Sequence, residues 1–184
     1  LATIHTLGFR GEALPSIASV AKVDLLSSCD ESKAGSKVSI EGGVVKGFKE
    51  TACPRGATIE VRHLFFNTPA RKKFLKSDST EASHITQVVT QQALAHPRIH
   101  MTLTHNGRQI LNTLPTEHTL YRIAELFGAE LIKELIQVKT QSGDYALDGY
   151  VSSAVYTRSN RSAQYCFVNN RLIRDKVILH ATQQ

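Results

Sequence analysis

The segment Gly8-Phe9-Arg10-Gly11-Glu12-Ala13-Leu14 sets two glycines around an arginine and then runs straight into small and apolar residues. From Glu12 to Ala21 the composition reads as a buried helix, and Glu12 stands where a negative charge favours a helix N-terminus. Pro15 is tolerated only in a first turn, where its missing N–H costs nothing, so the helix must start just after Gly11. Glycines let backbone N–H groups approach an anion closely. A helix N-terminus adds orphan donors and a positive dipole end, and Arg10 adds a fixed charge. Such a loop is either a phosphate cradle or a plain start of a helix, and its residues alone leave both readings open.

Working outward, Val23–Ser27, Lys37–Ile40 and Val44–Phe48 alternate as strands, the last two joined at Gly42-Gly43. Pro54-Arg55-Gly56 marks a second turn before the strand Thr58–Val61. Leu64-Phe65-Phe66 reads as a buried aromatic pair that stops at Asn67-Thr68-Pro69, and Pro69 opens a helix running through Phe74, a further core candidate. A longer helix is expected from Ser79 to Ala95, capped by Ser79 or Thr80, with Ile85, Val88, Val89, Gln92 and Ala95 on one face. Ile99–Thr104 and Gln109–Asn112 form a hairpin around Asn106-Gly107. The pattern restarts near Leu114-Pro115, where a domain boundary is expected. A helix follows over Leu120–Phe127, ended by Gly128, then an apolar segment Leu131–Ile136. Strands follow around Ser142-Gly143-Asp144 and at Gln164–Val168, then a turn at Asn169-Asn170 and a last helix from Val177. The expected class is α/β with mixed strands.

The net charge is +6, and its placement is uneven. Arg55–Lys76 holds six cations against one Glu, and Arg158–Lys176 five against one Asp, so the rest of the chain is acidic. Two basic clusters in an acidic background suit a polyanion partner, whose counterions are released on binding; a solvated basic face is the other reading. The three cysteines, Cys29, Cys53 and Cys166, form no CxxC pair, which favours a reducing compartment. No run approaches the roughly 18–20 apolar residues of a membrane span. His96 and His100 are separated by Pro97, which argues against one metal-binding helix face. No G-x-x-x-x-G-K-[ST] loop is present, which excludes a P-loop enzyme. The chain starts at Leu1 and ends in what reads as an unfinished helix, so a piece of a longer protein is expected.

Three strings together carry a resemblance. GFRGEAL followed by Ser16-Ile17-Ala18-Ser19-Val20 resembles the nucleotide-lid motif of MutL proteins, DNA mismatch-repair members of the GHKL ATPase superfamily that includes gyrase, heat-shock chaperones and histidine kinases. Arg55-Gly56-Ala57-Thr58-Ile59-Glu60-Val61, continuing through Leu64-Phe65-Phe66-Asn67-Thr68-Pro69-Ala70-Arg71-Lys72-Lys73-Phe74-Leu75, resembles that family's GTxVxVxxLFxNxPARxKFL signature. Gln164-Tyr165-Cys166-Phe167-Val168-Asn169-Asn170-Arg171 to Asp175 resembles its QxxFVNxRxxxD segment. The three occur in the family's order and span nearly the whole chain.

The resemblance implies the second half of a GHKL α/β sandwich over 1–114, followed over 115–184 by the start of a domain shared with a ribosomal protein. It implies nucleotide contact by Gly8, Phe9, Arg10 and Gly11, and ATP with Mg2+ as cofactor. Thr58 is a further nucleotide candidate, but the family's Thr stands where this chain has Ala57, and a one-residue offset turns a strand side chain to the other face. DNA-backbone contacts are implied for Arg71, Lys72, Lys73, Arg171, Arg174 and Lys176, with strong salt dependence. The implied partners are a MutS-type mismatch sensor, a downstream endonuclease or helicase, and a second copy of the chain. The lone cysteines and the character of the linkers favour bacterial cytoplasm over a nucleus, with no membrane role. The family's general-base Glu, magnesium-binding Asn and adenine loop belong before Leu1, and its γ-phosphate lysine after Gln184. The chain alone is therefore expected not to hydrolyse ATP. Rival readings are a gyrase-like topoisomerase subunit, a nucleic-acid-binding module without enzymatic activity, and a purely structural piece.

Overall fold

Gly42 and Gly43 both take left-handed backbone (φ +57° and +83°), the conformation a two-residue hairpin turn needs. They join β2 (Gly35–Glu41) to β3 (Val44–Thr51) in the computed structural model, which describes residues 11–30, 34–153, 156 and 163–181. The chain falls into two compact units, 1–76 and 77–184.

The first unit opens with α1 (Ala13–Ala18), which places Pro15 in its first turn, as the sequence requires. β1 (Lys22–Ser28) and β4 (Gly56–Arg62) complete an antiparallel sheet in the order β3-β2-β1-β4. The small side chains of Ala18 and Ala21 let the end of α1 sit against Val23, with Ile40 beside them. The helix stops three residues short of the expected Ala21, because Ser19 and Val20 turn the chain into β1. After β4, His63 and Phe65 adopt positive φ (53° and 63°), then Pro69 opens the single turn α2 (Pro69–Lys72). The expectation of buried aromatics here is corrected. Phe65 is half-buried, Phe66 is exposed and Phe74 is 82% exposed. One helical turn has no apolar face to carry Phe74 inward, and the residue follows its C-cap, Lys73.

The second unit starts with α3 (Asp78–Ala95). Its cap is Ser77, whose hydroxyl accepts from the Thr80 N–H at 3.3 Å, two residues earlier than expected. The expected stripe holds only at its end: Ile85, Val88 and Gln92 are exposed and Val89 is half-buried, whereas Ala95 is buried together with Gln91 and Ala93. The small residues of the last turns, not the branched ones, permit close packing. β5 (Met101–His105) and β6 (Arg108–Thr113) form the expected hairpin around Asn106 and Gly107, both at positive φ. α4 (Thr119–Phe127), α5 (Ala129–Ile132) and the hairpin of β7 (Leu135–Ser142) with β8 (Tyr145–Ser152) follow. β9 (Cys166–Val168), β10 (Arg171–Ile173) and α6 (Lys176–Ala181) end the described chain.

The two compact units divide at 76/77. Within the second unit Arg122 ties α4 to the segment that precedes it. This side chain on α4 is completely buried and donates to the carbonyls of Pro97, Ile99 (3.2 Å) and Leu114 (2.9 Å). Its partner Glu125 lies 3.6 Å away and accepts from the Leu114 N–H at 3.2 Å. Residues on both sides of position 115 are thus laced to one helix. Among the described residues no helix is long and apolar enough to cross a membrane, and no cluster of His, Cys, Asp and Glu could hold a metal.

Candidate nucleotide-lid and nucleic-acid site

The loop residues Gly8, Phe9 and Arg10 lie outside the described residues. Gly11 is described: it is exposed, has φ +66°, and stands two residues before α1. A Cβ added there would meet nothing within 4 Å, so the glycine is required for its backbone conformation and not for space. The left-handed turn at Gly11 opens onto solvent at the head of a helix.

Strand register decides the position of Thr58. Directly paired residues of an antiparallel ladder share a face. Thr58 pairs with Leu26, and Ala57 with Ser27. Thr58 therefore faces the same way as Asp24, Glu60 and Arg62, whereas Ala57 faces with Val23, Ile59 and Val61. The end of α1 packs on the Val23 side. The one-residue offset read in the sequence thus sends Thr58 to the sheet face away from α1, and the two candidates are not brought together.

The face that carries Thr58 holds an ion-pair network instead. Asp24 is buried, accepts from the Ser39 hydroxyl, and pairs with Arg62 and with Lys37 at 3.2 Å. The Ser39 hydrogen bond, helped by Lys37 and Arg62, holds the Asp24 carboxyl below its usual range, against the opposing effect of burial. Glu41 is lowered likewise by Lys22, 2.8 Å away. These bonds satisfy one another and mark a structural face.

Arg71, Lys72 and Lys73 are exposed on and just after α2, in the first unit. In the second unit Asn169 and Asn170 both take positive φ (49° and 61°) and turn the chain between β9 and β10. Arg171 is half-buried on β10, and Arg174 and Lys176 are exposed beyond it. Asp175 accepts from the N–H groups of Val177 (2.8 Å) and Ile178 (3.1 Å), so the one acid in this run is engaged in starting α6. Arg174 and Lys176, on either side of it, are turned to solvent as a basic pair.

Residues 123–184 match the family described as DNA mismatch repair protein, C-terminal domain. A DNA mismatch repair protein MutL from Anaeromyxobacter sp. (strain K) is 42% identical over 181 residues, which cover 98% of this chain and 30% of that relative. The Aquifex aeolicus MutL ATPase domain complexed with ADP superposes with a TM-score of 0.79 at 30% identity, over 94% of this chain and 66% of that one. The same domain carrying a point mutation gives 0.70 at 30% identity, over 97% and 68%. The chain belongs to the MutL family of DNA mismatch repair proteins. It spans about a third of the length of its curated MutL relatives, and its mixed α/β architecture with antiparallel sheets is that of MutL ATPase-domain structures.

Two residues of this MutL chain escape the sequence reading. The sequence marks Asn67 as part of a stop signal and as a fixed position of the LFxNxPAR string but gives it no role, yet its Nδ2 donates to the Ser19 carbonyl at 2.9 Å. Arg122 looks like one residue of an ordinary helix. Its spacing from Glu125 is the available signal, but nothing in the spacing announces complete burial.

Proposed function

We propose that this chain is part of an ATP-operated coordinator of mismatch repair, with the head of α1 forming a nucleotide lid. The observation that carries the reading is Gly11, in left-handed backbone and open to solvent at the start of a helix. The likeness to a MutL ATPase domain solved with ADP supports it. Residues 1–114 would then end the ATPase domain, and 115–184 begin the domain that follows.

Bound ATP with its Mg2+ would supply the polyphosphate charge that the lid grips. Gly8, Phe9, Arg10 and Gly11 hold that charge through main-chain donors and the Arg10 guanidinium, and their ordering closes a homodimer. Thr58 has no part in this contact, being on the far face of β4. Arg71, Lys72, Lys73, Arg171, Arg174 and Lys176 meet DNA phosphates, which gives affinity with little sequence preference. A MutS-type sensor and a downstream endonuclease or helicase are the proposed partners. The three free cysteines and the bacterial relatives support a cytoplasmic setting.

The test is dimerisation of the intact parent, followed by light scattering with a non-hydrolysable ATP analogue, wild type against Gly11→Val. Forcing a β-branched residue to φ +66° costs the turn roughly 1–2 kcal/mol, while the open space around Gly11 leaves the fold intact. Wild type should dimerise and the folded variant should stay monomeric. Equal dimerisation, or no response to nucleotide in either, would reduce the loop to a helix start and move the nucleic-acid-binding module ahead.

A further inference from the structure

Four consecutive main-chain carbonyls, from the last residue of α1 through the turn that leads into β1, are each taken by a different donor. The Gly43 N–H donates to Ala18 O (2.8 Å), Asn67 Nδ2 to Ser19 O (2.9 Å), the Phe65 N–H to Val20 O (2.7 Å) and the Gly42 N–H to Ala21 O (3.2 Å). The last carbonyls of a helix are ordinarily orphans, met by water or by a left-handed glycine cap. Here Ser19 remains right-handed at the C-cap, and the donors come from the β2–β3 turn and from the segment after β4. The end of α1 is therefore pinned to two distant parts of its own unit.

Of these four donors, only Asn67 acts through a side chain. Its surroundings are shaped for it. A Cβ on Gly42 would stand 3.3 Å from Asn67 Nδ2 and 3.4 Å from the Phe66 ring, so the glycine clears the path of the amide. Phe65 holds a left-handed backbone that no aromatic residue prefers, and this conformation presents its N–H to Val20 O. Two residues after Asn67, Pro69 begins the turn that carries Arg71 and Lys72. Asn67 thus stands between the helix headed by Gly11 and the exposed basic turn.

We infer that Asn67 is a positioning residue that couples α2 to the lid helix α1 through the Ser19 carbonyl. Displacement of α2 as its cations meet a nucleic-acid backbone reaches α1 through this amide. Conversely, a helix held by nucleotide at its head fixes α2. The inference rests on reading Gly11 and the loop before it as a nucleotide contact.

The experiment uses the intact parent and measures the Kd of a fluorescent non-hydrolysable ATP analogue with and without a short mixed-sequence DNA duplex. The Kd of the duplex is measured with and without the analogue. Linkage requires both ratios to be equal, and in wild type a factor of about 5 or more is expected. Asn67→Ala and Asn67→Asp should bring the ratio close to one. The aspartate keeps the shape but has no N–H to donate, and Asn67→Gln, which retains the donor, should restore part of it. An unchanged ratio in Asn67→Ala and Asn67→Asp overturns the inference. So does a joint weakening of both affinities and of thermal stability at constant ratio, which is the signature of a merely structural bond. Analogue binding in wild type that ignores DNA overturns the coupling but leaves the lid reading standing. Analogue binding indifferent to Gly11→Val, or absent, removes both.

Discussion

Replacing Arg122 by Met should be the most damaging single change among the described residues of the second unit. Methionine fills much of the space of the arginine stem, so the loss is polar and not a cavity. Three carbonyls lose a donor. Pro97 O keeps one from the Thr116 N–H at 3.0 Å, which leaves those of Ile99 and Leu114 as the expensive ones. An orphaned buried acceptor costs about 1–3 kcal/mol, and Glu125 also loses its cation. Breaking a buried charged cluster by removing one partner costs about 3–5 kcal/mol, and we expect the variant within that range. Burial lowers the pKa of the guanidinium against the raising effect of Glu125, so the site strains the charge and the carbonyls hold it in place. For a unit of this size the loss corresponds to a fall in Tm of about 10 °C or more. The assay is urea and thermal unfolding of wild type, Arg122→Met and Arg122→Lys. All three carbonyls are met by Arg122 Nη2 alone; lysine keeps the charge, but its side chain is one bond shorter and its Nζ falls short of that position, so it should recover less than half of the loss. A methionine variant within about 0.5 kcal/mol of wild type would refute the clamp, because that is the size of an ordinary surface substitution.

Three further outcomes are expected. The Asp24 carboxyl has a folded pKa below its unfolded value, so the stability it contributes is present above about pH 4 and is lost as pH falls through the folded value; the gap in urea midpoint between wild type and Asp24→Asn should be full at pH 7 and close in acid. Gly35→Ala would drive a Cβ into Cys53 Sγ and place it 2.9 Å from the Ser27 carbonyl, costing about 1–3 kcal/mol. Adding Cys53→Ala should rescue only part of this, because the main-chain clash remains; full rescue would contradict the geometry. Finally, changing Arg71, Lys72 and Lys73 to Ala in the intact parent should lower the slope of log affinity for DNA against log salt by about 0.9 for each phosphate that is no longer neutralised. An unaltered slope would take those residues off the DNA.

Hairpins were the most legible part of the fold, because their turns are specified by residues that tolerate positive φ. Gly42-Gly43, Asn106-Gly107 and Asn169-Asn170 each stand where the chain reverses. The helix starts were legible wherever proline fixed them, as at Pro15 and Pro69. Burial was harder to read. Phe74 and Ile85 look like core residues by type and spacing, yet both are exposed: α2 buries none of its residues, and α3 buries only residues of its last turns. Thr58 shows the opposite case: period-two alternation alone was enough to turn it to the far face, and the ladder agrees. The signature marks Asn67 and the spacing to Glu125 marks Arg122, but neither pattern says what the side chain bonds, since each acts on carbonyls contributed from elsewhere in the chain. Main-chain acceptors carry no residue-type signal.

The sheet order β3-β2-β1-β4 has a consequence for how the first unit folds. Every other strand pair among the described residues joins neighbours in sequence, and such hairpins zip locally within microseconds. The β1–β4 ladder alone must bring Lys22 to Arg62 and Ser28 to Gly56, closing a long loop before any pairing energy is returned. We expect that ladder to be the kinetic bottleneck. Substitutions that weaken it slow folding, whereas those confined to the hairpin turns act on the unfolding rate, and the two classes separate on opposite limbs of a chevron plot.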